Sequence, residues 1–199
     1  MVMNQKKIFV FVGNPDSNSL CGALASAYID GAQAAGHSVE VMHIDDMKFD
    51  PILHKGYKVI QQLEPDLITF QNHIRAADHI VIVYPNWWGT MPALLKGLFD
   101  RTWIPHFAFI YYKEGWLGRL HLWDKLLRGK TARLIVTTNS PPFLLWLVMG
   151  DVTHTIKSNI LRFAGISVST TMFGPSERES DIVRARWLAK ARAFGSRGI

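Results

Sequence analysis

The sequence predicts an α/β protein built on a doubly wound, five-stranded parallel sheet with helices on both faces. Two observations carry this. Strand and helix signals alternate from end to end, the pattern of repeated βα units. One apolar run, Ile80-Val81-Ile82-Val83-Tyr84, is β-branched and does not alternate with polar residues, as a strand buried on both faces requires. With five such strands the expected order is 2-1-3-4-5. There are no internal repeats and no linker that divides the chain, so residues 1–199 are expected to form one domain.

The elements follow in order. Ile8-Phe9-Val10-Phe11-Val12 is the first strand. A loop from Gly13 to Asn18 leads to a helix from Ser19 to about Ala35, closed by Gly36. Ser38 to Ile44 alternates and reads as an edge strand ending at Asp45-Asp46. A loop containing Phe49-Asp50-Pro51-Ile52 precedes a helix opened by Pro65, whose Leu67, Ile68, Phe70, Ile74 and Ala77 share one face. After the third strand, Pro92 is expected in the first turn of a helix running to Arg101. From Pro105 to Lys130 the pattern is irregular and aromatic, with Phe107, Phe109, Tyr111, Tyr112, Trp116 and Trp123. It is longer than a routine connection and reads as a pocket wall or a subunit interface. Leu134-Ile135-Val136-Thr137 is the fourth strand, Thr153 to Phe163 a helix, Ile166 to Phe173 the fifth strand, and Glu179 to Phe194 the last helix.

Composition sets bounds on function. With 48% hydrophobic and 19% charged residues the chain is ordinary globular protein. Its longest apolar run, Phe143 to Gly150, is far short of the roughly 20 residues that span a bilayer. The amino terminus lacks an apolar signal core, and a single cysteine, Cys21, excludes an intrachain disulfide, so a cytoplasmic protein is expected. The balance of 22 basic and 16 acidic residues gives +6. Only Arg184, Arg186, Lys190, Arg192 and Arg197 cluster, on the last helix, where a solvated face explains them. No zinc-finger, RNP-like or helix-turn-helix pattern points to nucleic acid. Eight histidines are scattered without metal-ligand spacing. His73 and His79 read as surface or capping residues, and Lys96 with Asp100 as a helix-supporting pair four residues apart.

The most informative segment is Tyr84-Pro85-Asn86-Trp87-Trp88-Gly89-Thr90-Met91-Pro92. Two tryptophans stand in a Gly/Pro-punctuated loop where a strand's carboxyl end meets a helix, the crevice where open α/β sheets bind ligands. Such a loop suits a flat aromatic ligand; the competing reading packs both indoles into the core. The exit of the first strand, Asn14-Pro15-Asp16-Ser17-Asn18-Ser19-Leu20-Cys21, has neither a dinucleotide fingerprint nor a P-loop. It does place small hydroxyl and amide side chains at a helix amino terminus, which attracts anions. Plain capping by Asn18 or Ser19 accounts for the same residues. Cys21 at a helix start suits either a lowered thiol pKa or a small packed side chain.

Together these segments resemble the flavodoxin-like NAD(P)H:quinone oxidoreductases. Pro85-Asn86-Trp87-Trp88-Gly89 with Met91-Pro92-Ala93, Lys96-Gly97 and Asp100-Arg101 is similar to that family's proline, aromatic pair and glycine followed by P-A-x-x-K-G-x-x-(D/E)-R. Phe49-Asp50-Pro51-Ile52 resembles its F-(N/D)-P-I turn, and Thr137-Thr138 its paired threonines. The resemblance implies a flavin, with Trp87 and Trp88 along the isoalloxazine flanked by Pro85, Asn86 and Gly89. It implies that Asn14 and Asn18 to Cys21 hold the phosphate, and that Thr137, Thr138 and Asn139 border the ring's far edge. Phe107-Ala108-Phe109 resembles an F-A-Y segment that reaches into a partner subunit's site; an aromatic cluster beneath the long loop is the alternative. Phe107, Phe109 and Ser140 are therefore candidate substrate contacts and a homodimer is expected.

Where familiar members continue with glycines and later supply a tyrosine and a histidine, this chain has Asn139-Ser140-Pro141-Pro142-Phe143, and Met149 where the histidine is sought. No proton-relay pair carries over, and no catalytic residue is assigned. The implied activity is two-electron, ping-pong transfer from NADPH or NADH to a quinone or similar small electrophile, with FMN, or alternatively FAD, as cofactor. Two other functions have relatives on this fold: a regulatory flavoprotein on a membrane potassium-efflux system, which would make a peripheral membrane partner, and a one-electron carrier.

Overall fold

The computed structural model describes residues 5–112, 114, 115, 120 and 122–199. Trp116, counted in the aromatic stretch, lies outside the described residues. The sheet has five parallel strands, β1 (Lys7–Val12), β2 (Ser38–His43), β3 (His79–Pro85), β6 (Thr131–Thr137) and β7 (Ser167–Phe173), in the spatial order β2-β1-β3-β6-β7. This is the 2-1-3-4-5 order expected, with β6 and β7 as fourth and fifth strands. The helices are α1 (Leu20–Ala34), α2 (Pro65–Ala76), α3 (Ala93–Thr102), α4 (Pro142–Met149) and α5 (Asp181–Arg197).

Alternation within the buried strands builds two cores. Ile8, Val10 and Val12 of β1 and Val81 and Val83 of β3 face α1 and α5, meeting Leu24, Tyr28, Ala191 and Phe194. Phe9, Phe11, Ile80, Ile82 and Tyr84 face the other way, onto Leu67, Phe70 and Ile74 of α2 and Leu95, Leu98 and Phe99 of α3. Both faces of the sheet are thereby dry, which is why the β3 sequence shows no polar alternation.

Three local expectations are corrected. Pro92 is the N-cap of α3, with extended backbone at ψ 146, and not a first-turn residue. The aromatic excursion folds into an antiparallel hairpin of β4 (Phe109–Tyr111) and β5 (Trp123–Lys125). The helix expected over 153–163 is wound as a π-helix over Thr155–Arg162, closed by Phe163 N–H to Ser158 O at 3.1 Å and Ile166 N–H to Leu161 O at 3.1 Å. Apolar periodicity cannot separate these windings, because Ile156, Ile160 and Leu161 reach the core in either. No helix among the described residues is long and apolar enough to cross a membrane.

Candidate functional site

Three loops leave the carboxyl ends of β1, β3 and β6 and are tied to one another by hydrogen bonds. Gly13 N–H donates to Val83 O at 2.8 Å and Asn86 N–H to Thr137 O at 2.7 Å. Cys21 Sγ lies 3.3 Å from Thr137 Oγ1. Thr137 therefore meets both other loops. It ends a buried strand, so its position is fixed by the register Pro85↔Thr137 rather than by the loops themselves.

In the first loop, Asn14 is buried and organises the turn. Its Oδ1 accepts from Asp16 N–H at 3.2 Å and its Nδ2 donates to Ser19 Oγ at 2.8 Å. Asp16 Oδ1 accepts from Asn18 N–H at 2.9 Å. Ser19 is the N-cap, accepting from Gly22 N–H at 3.4 Å, so the capping reading holds for Ser19 and not Asn18. Capping leaves the amides of Leu20 and Cys21, the first two of α1, without an intrahelical acceptor. Ser17 N–H already donates to the exposed carboxylate of Asp45 at 3.1 Å, showing that this turn presents a donor to an anionic oxygen. Cys21 itself is buried. Burial pushes its thiol up to about 11 against weaker opposing bonds from Thr137 and Asn14, so it is the packed residue and not an activated thiol.

The tryptophan loop is a tight bridge: Trp87 N–H donates to Thr90 O at 2.8 Å and Thr90 N–H returns to Trp87 O at 3.1 Å. Turning within it puts Trp88 at φ 53 and Gly89 at φ 80. Trp88 is 98% exposed and Trp87 47%, which removes the core-packing reading. A non-glycine residue in the left-handed region carries strain of about 1–2 kcal/mol that packing does not repay here. In the same segment, Asn86 Oδ1 and the Tyr84 hydroxyl are buried and have no partner among the described residues. Burial, reinforced by Asp151, drives the Tyr84 pKa far upward, so its Oη keeps its proton. Met149 Sδ, at the end of α4, stands 3.4 Å from where a Gly89 Cβ would lie.

The third loop is braced from within. Thr138 N–H donates to Phe173 O at 2.9 Å, Thr138 Oγ1 accepts from Ser140 N–H at 3.2 Å, and Ser176 N–H donates to Thr138 O at 2.8 Å. Asn139 turns its amide toward Glu177 Oε1 at 2.8 Å and accepts from Ser176 Oγ at 2.7 Å, so its side chain is spent on the 176–177 turn.

Phe107 and Phe109 are not brought to these loops. Both are buried, Phe107 edge-on to Trp103 and Phe109 edge-on to Phe163, as the aromatic-cluster reading has it. Phe109 also lines a concavity of about 780 Å³, together with Tyr57, Phe99, Trp103, Tyr111 and Asn159. Residues of α3, of the π-helix, of β4 and of the segment 53–61 line it, and none of the three loops contributes.

Sequence reasoning assigned no role to Arg101 beyond its place in the motif. It is fully buried, donating to Gln62 O at 2.7 Å and to Glu64 at 2.8 and 3.2 Å, and also bonding Asp50 O. The guanidinium staples the Phe49–Ile52 turn to α3. Gly97 allows this, since a Cβ there would lie 2.6 Å from Pro51 Cβ. Burial works against ionised Glu64, yet its bonds from Arg101 hold its pKa below the ordinary value. Lys96 and Asp100 pair at 2.6 Å as expected. The expectation for His79 is corrected: it is 2% exposed, bonds Thr131 Oγ1 at 2.7 Å, and is driven down to about 3 by burial, with Lys6, Arg133 and His37 adding to it.

A doubly wound sheet in this strand order, with three interlocked loops at its carboxyl edge, defines a flavodoxin-like protein. Residues 6–193 match the family described as flavodoxin-like fold, and the chain belongs to that family. Within it the resemblance to NAD(P)H:quinone oxidoreductases is borne out. The chain is 26% identical over 190 residues to NAD(P)H dehydrogenase [quinone] 1 of Cavia porcellus, covering 82% of this chain but only 66% of that relative's length. It is 26% identical over 218 residues to ribosyldihydronicotinamide dehydrogenase [quinone] of Pongo abelii, covering 93% of this chain and 90% of the relative. Among solved structures, Smu.1420 from Streptococcus mutans superimposes with a TM-score of 0.81 at 29% identity, over 97% of this chain and 100% of that one.

Proposed function

We propose that this protein is a flavin-dependent oxidoreductase that takes two electrons from NADPH or NADH and passes them to a quinone or similar electrophile by ping-pong transfer. One observation carries the reading: the same loop holds a strained, 98% exposed Trp88 and, two residues before it, a buried Asn86 Oδ1 with no partner among the described residues. An indole held open at the cost of strain, in one loop with a polar atom that has no mate, suits a flat ring with hydrogen-bonding edges.

The residues fit a flavin. Trp87 and Trp88 offer aromatic surface, Asn86 Oδ1 an acceptor, and the Leu20 and Cys21 amides an anion site at a helix amino terminus. Thr137 and Thr138 set the far wall with Asn139 and Ser140 at its rim. When bound, the flavin would supply the redox chemistry, accepting and returning hydride. The chain's own part is to orient the reactants and exclude water, with Met149 and α4 closing the side next to Gly89. FMN is the cofactor we favour, because the loop after β1 offers donors for one phosphate. We infer a homodimer in which the groove lined by Tyr57, Phe109 and Tyr111 meets the partner. Tyr57 and Ile60 beside it are 71% and 93% exposed.

The test is a spectrum of the purified protein after reconstitution with FMN or FAD, followed by anaerobic addition of each nicotinamide. The expected outcome is bleaching of the flavin band, reversed by a quinone. Replacing both Trp87 and Trp88 by Ala is expected to weaken flavin retention at least about tenfold while the fold persists. Unchanged flavin affinity would remove the site from this loop. A regulatory role at a membrane is favoured by α4, whose Phe143, Trp146, Leu147 and Val148 are each 68–73% exposed. Bound flavin that neither donor reduces would favour that role.

A further inference from the structure

At the opposite edge of the sheet, where β5 and the end of the π-helix meet the start of β7, Lys125, Arg128 and Arg162 line one concavity of about 420 Å³ with Gly165 and Ser167. Among the described residues no carboxylate lines it. Among the described residues Arg128 has only Asp124, at 3.8 Å, and that carboxylate also accepts from the Tyr112 hydroxyl at 2.7 Å. Arg162 reaches only the Val168 carbonyl, at 3.3 Å, and Lys125 has no hydrogen bond or ion pair among the described residues. Three positive side chains around one hollow repel one another, and an anion seated between them removes that cost.

The backbone is shaped to bring two of these stems together. Gly165 has φ +101, and a Cβ there would lie 2.8 Å from Arg128 Cγ and 3.0 Å from Lys125 Cβ. A side chain would therefore push both stems out of the hollow. The hairpin that carries Lys125 is pinned to the same corner by Trp123, which donates to Phe163 O at 2.9 Å and stacks on the Phe163 ring. Leu127 N–H adds a bond to Ala164 O at 2.9 Å. The cations thus sit on anchored backbone and not on a free loop.

We propose that this corner is a binding site for a phosphate group carried by a small molecule. Two guanidinium forks and one ammonium match a multiply charged tetrahedral oxyanion, whose oxygens accept several charge-assisted bonds at once, better than a lone carboxylate. Ser167 adds a hydroxyl at the rim. Ser167 opens β7, a strand of 7 residues, so the site lies about 20 Å from the loops at the strands' carboxyl ends. It is separate from the flavin cradle and does not rest on the proposed redox activity.

The probe is inorganic pyrophosphate, titrated calorimetrically into the full chain at low ionic strength and compared with the exposed double variant Arg128→Gln/Arg162→Gln. Thermal melting checks that the variant stays folded. One-to-one binding that weakens with added salt and falls at least about tenfold in the variant supports the site. If soluble pyrophosphate gives no heat but vesicles containing phosphatidic acid bind the chain and not the variant, the phosphate belongs to a lipid headgroup and the site stands. Binding equal in both proteins, or no binding of either probe, overturns it.

Discussion

Trp88 and Trp103 flank the same helix, α3, and their surroundings are opposite. Trp103 is 8% exposed, stands edge-on to Phe99 and Phe107, and donates its Nε1–H to Ile160 O at 2.9 Å. Trp88, fifteen positions earlier in the chain, is 98% exposed at φ 53. One indole has every group satisfied and joins α3 to the π-helix; the other is held in a costly conformation with its ring in solvent. The difference separates residues that stabilise the fold from residues the fold supports at a cost. Both ends of α3 carry tryptophan, and packing tells the two indoles apart.

The comparison can be tested from its largest consequence down. Trp103→Ala is expected to cost about 3–5 kcal/mol, read from urea denaturation, because it opens a cavity and removes the indole's bond to the Ile160 carbonyl. A cost near zero would mean that Trp103 is no better packed than Trp88. Next comes the buried His79 at the sheet's amino edge, whose folded pKa of about 3 lies below the ordinary 6.5. Only the unfolded chain takes up a proton between those values, so stability is fully present above pH 6.5 and declines as pH falls toward 3. By about pH 5 this single group should have cost about 2 kcal/mol, and a His79→Gln variant should lack that component of the slope. The smallest effect is expected at Trp88. Trp88→Gly should raise stability by about 0.5–1 kcal/mol by releasing the left-handed strain, while loosening flavin. A loss of stability there would show that the exposed indole contributes contacts to the fold after all.

Much of the architecture was legible because burial on two faces leaves a direct trace. The unbroken apolar β3 and the alternation of elements led to the sheet and its order, and both stand. Ser19 and Gly36 marked the ends of α1 through capping chemistry that acts within a few residues. The three loops at the strands' carboxyl ends were legible too, since Gly/Pro punctuation at strand ends signals shaped backbone. The histidines and aromatics were less readable. His79 carries no local signal that separates a buried neutral imidazole from an exposed one; the Thr131 hydroxyl that receives it arrives from a strand 52 positions away. Phe107 and Phe109 read equally well as core or as a partner's contact, because hydrophobicity alone does not say which surface covers a ring.

What the sequence determined by itself is whatever depends on short-range physics: the strands and their burial, the helix caps, and the turn chemistry that leaves Trp87 and Trp88 in a loop at the sheet's carboxyl edge. What tertiary structure decided depends on residues far apart in the chain meeting in space. Arg101 reaches back across 39 positions to Gln62 O and draws the Phe49–Ile52 turn against Gly97. Thr137 joins the loops of β1 and β3 through Cys21 and Asn86. Lys125, Arg128 and Arg162 come to one hollow because a hairpin packs on a π-helix end. Hydrogen bonds and charges act over a few ångströms of space irrespective of sequence separation, so these meetings exist only once the sheet has brought its connections together.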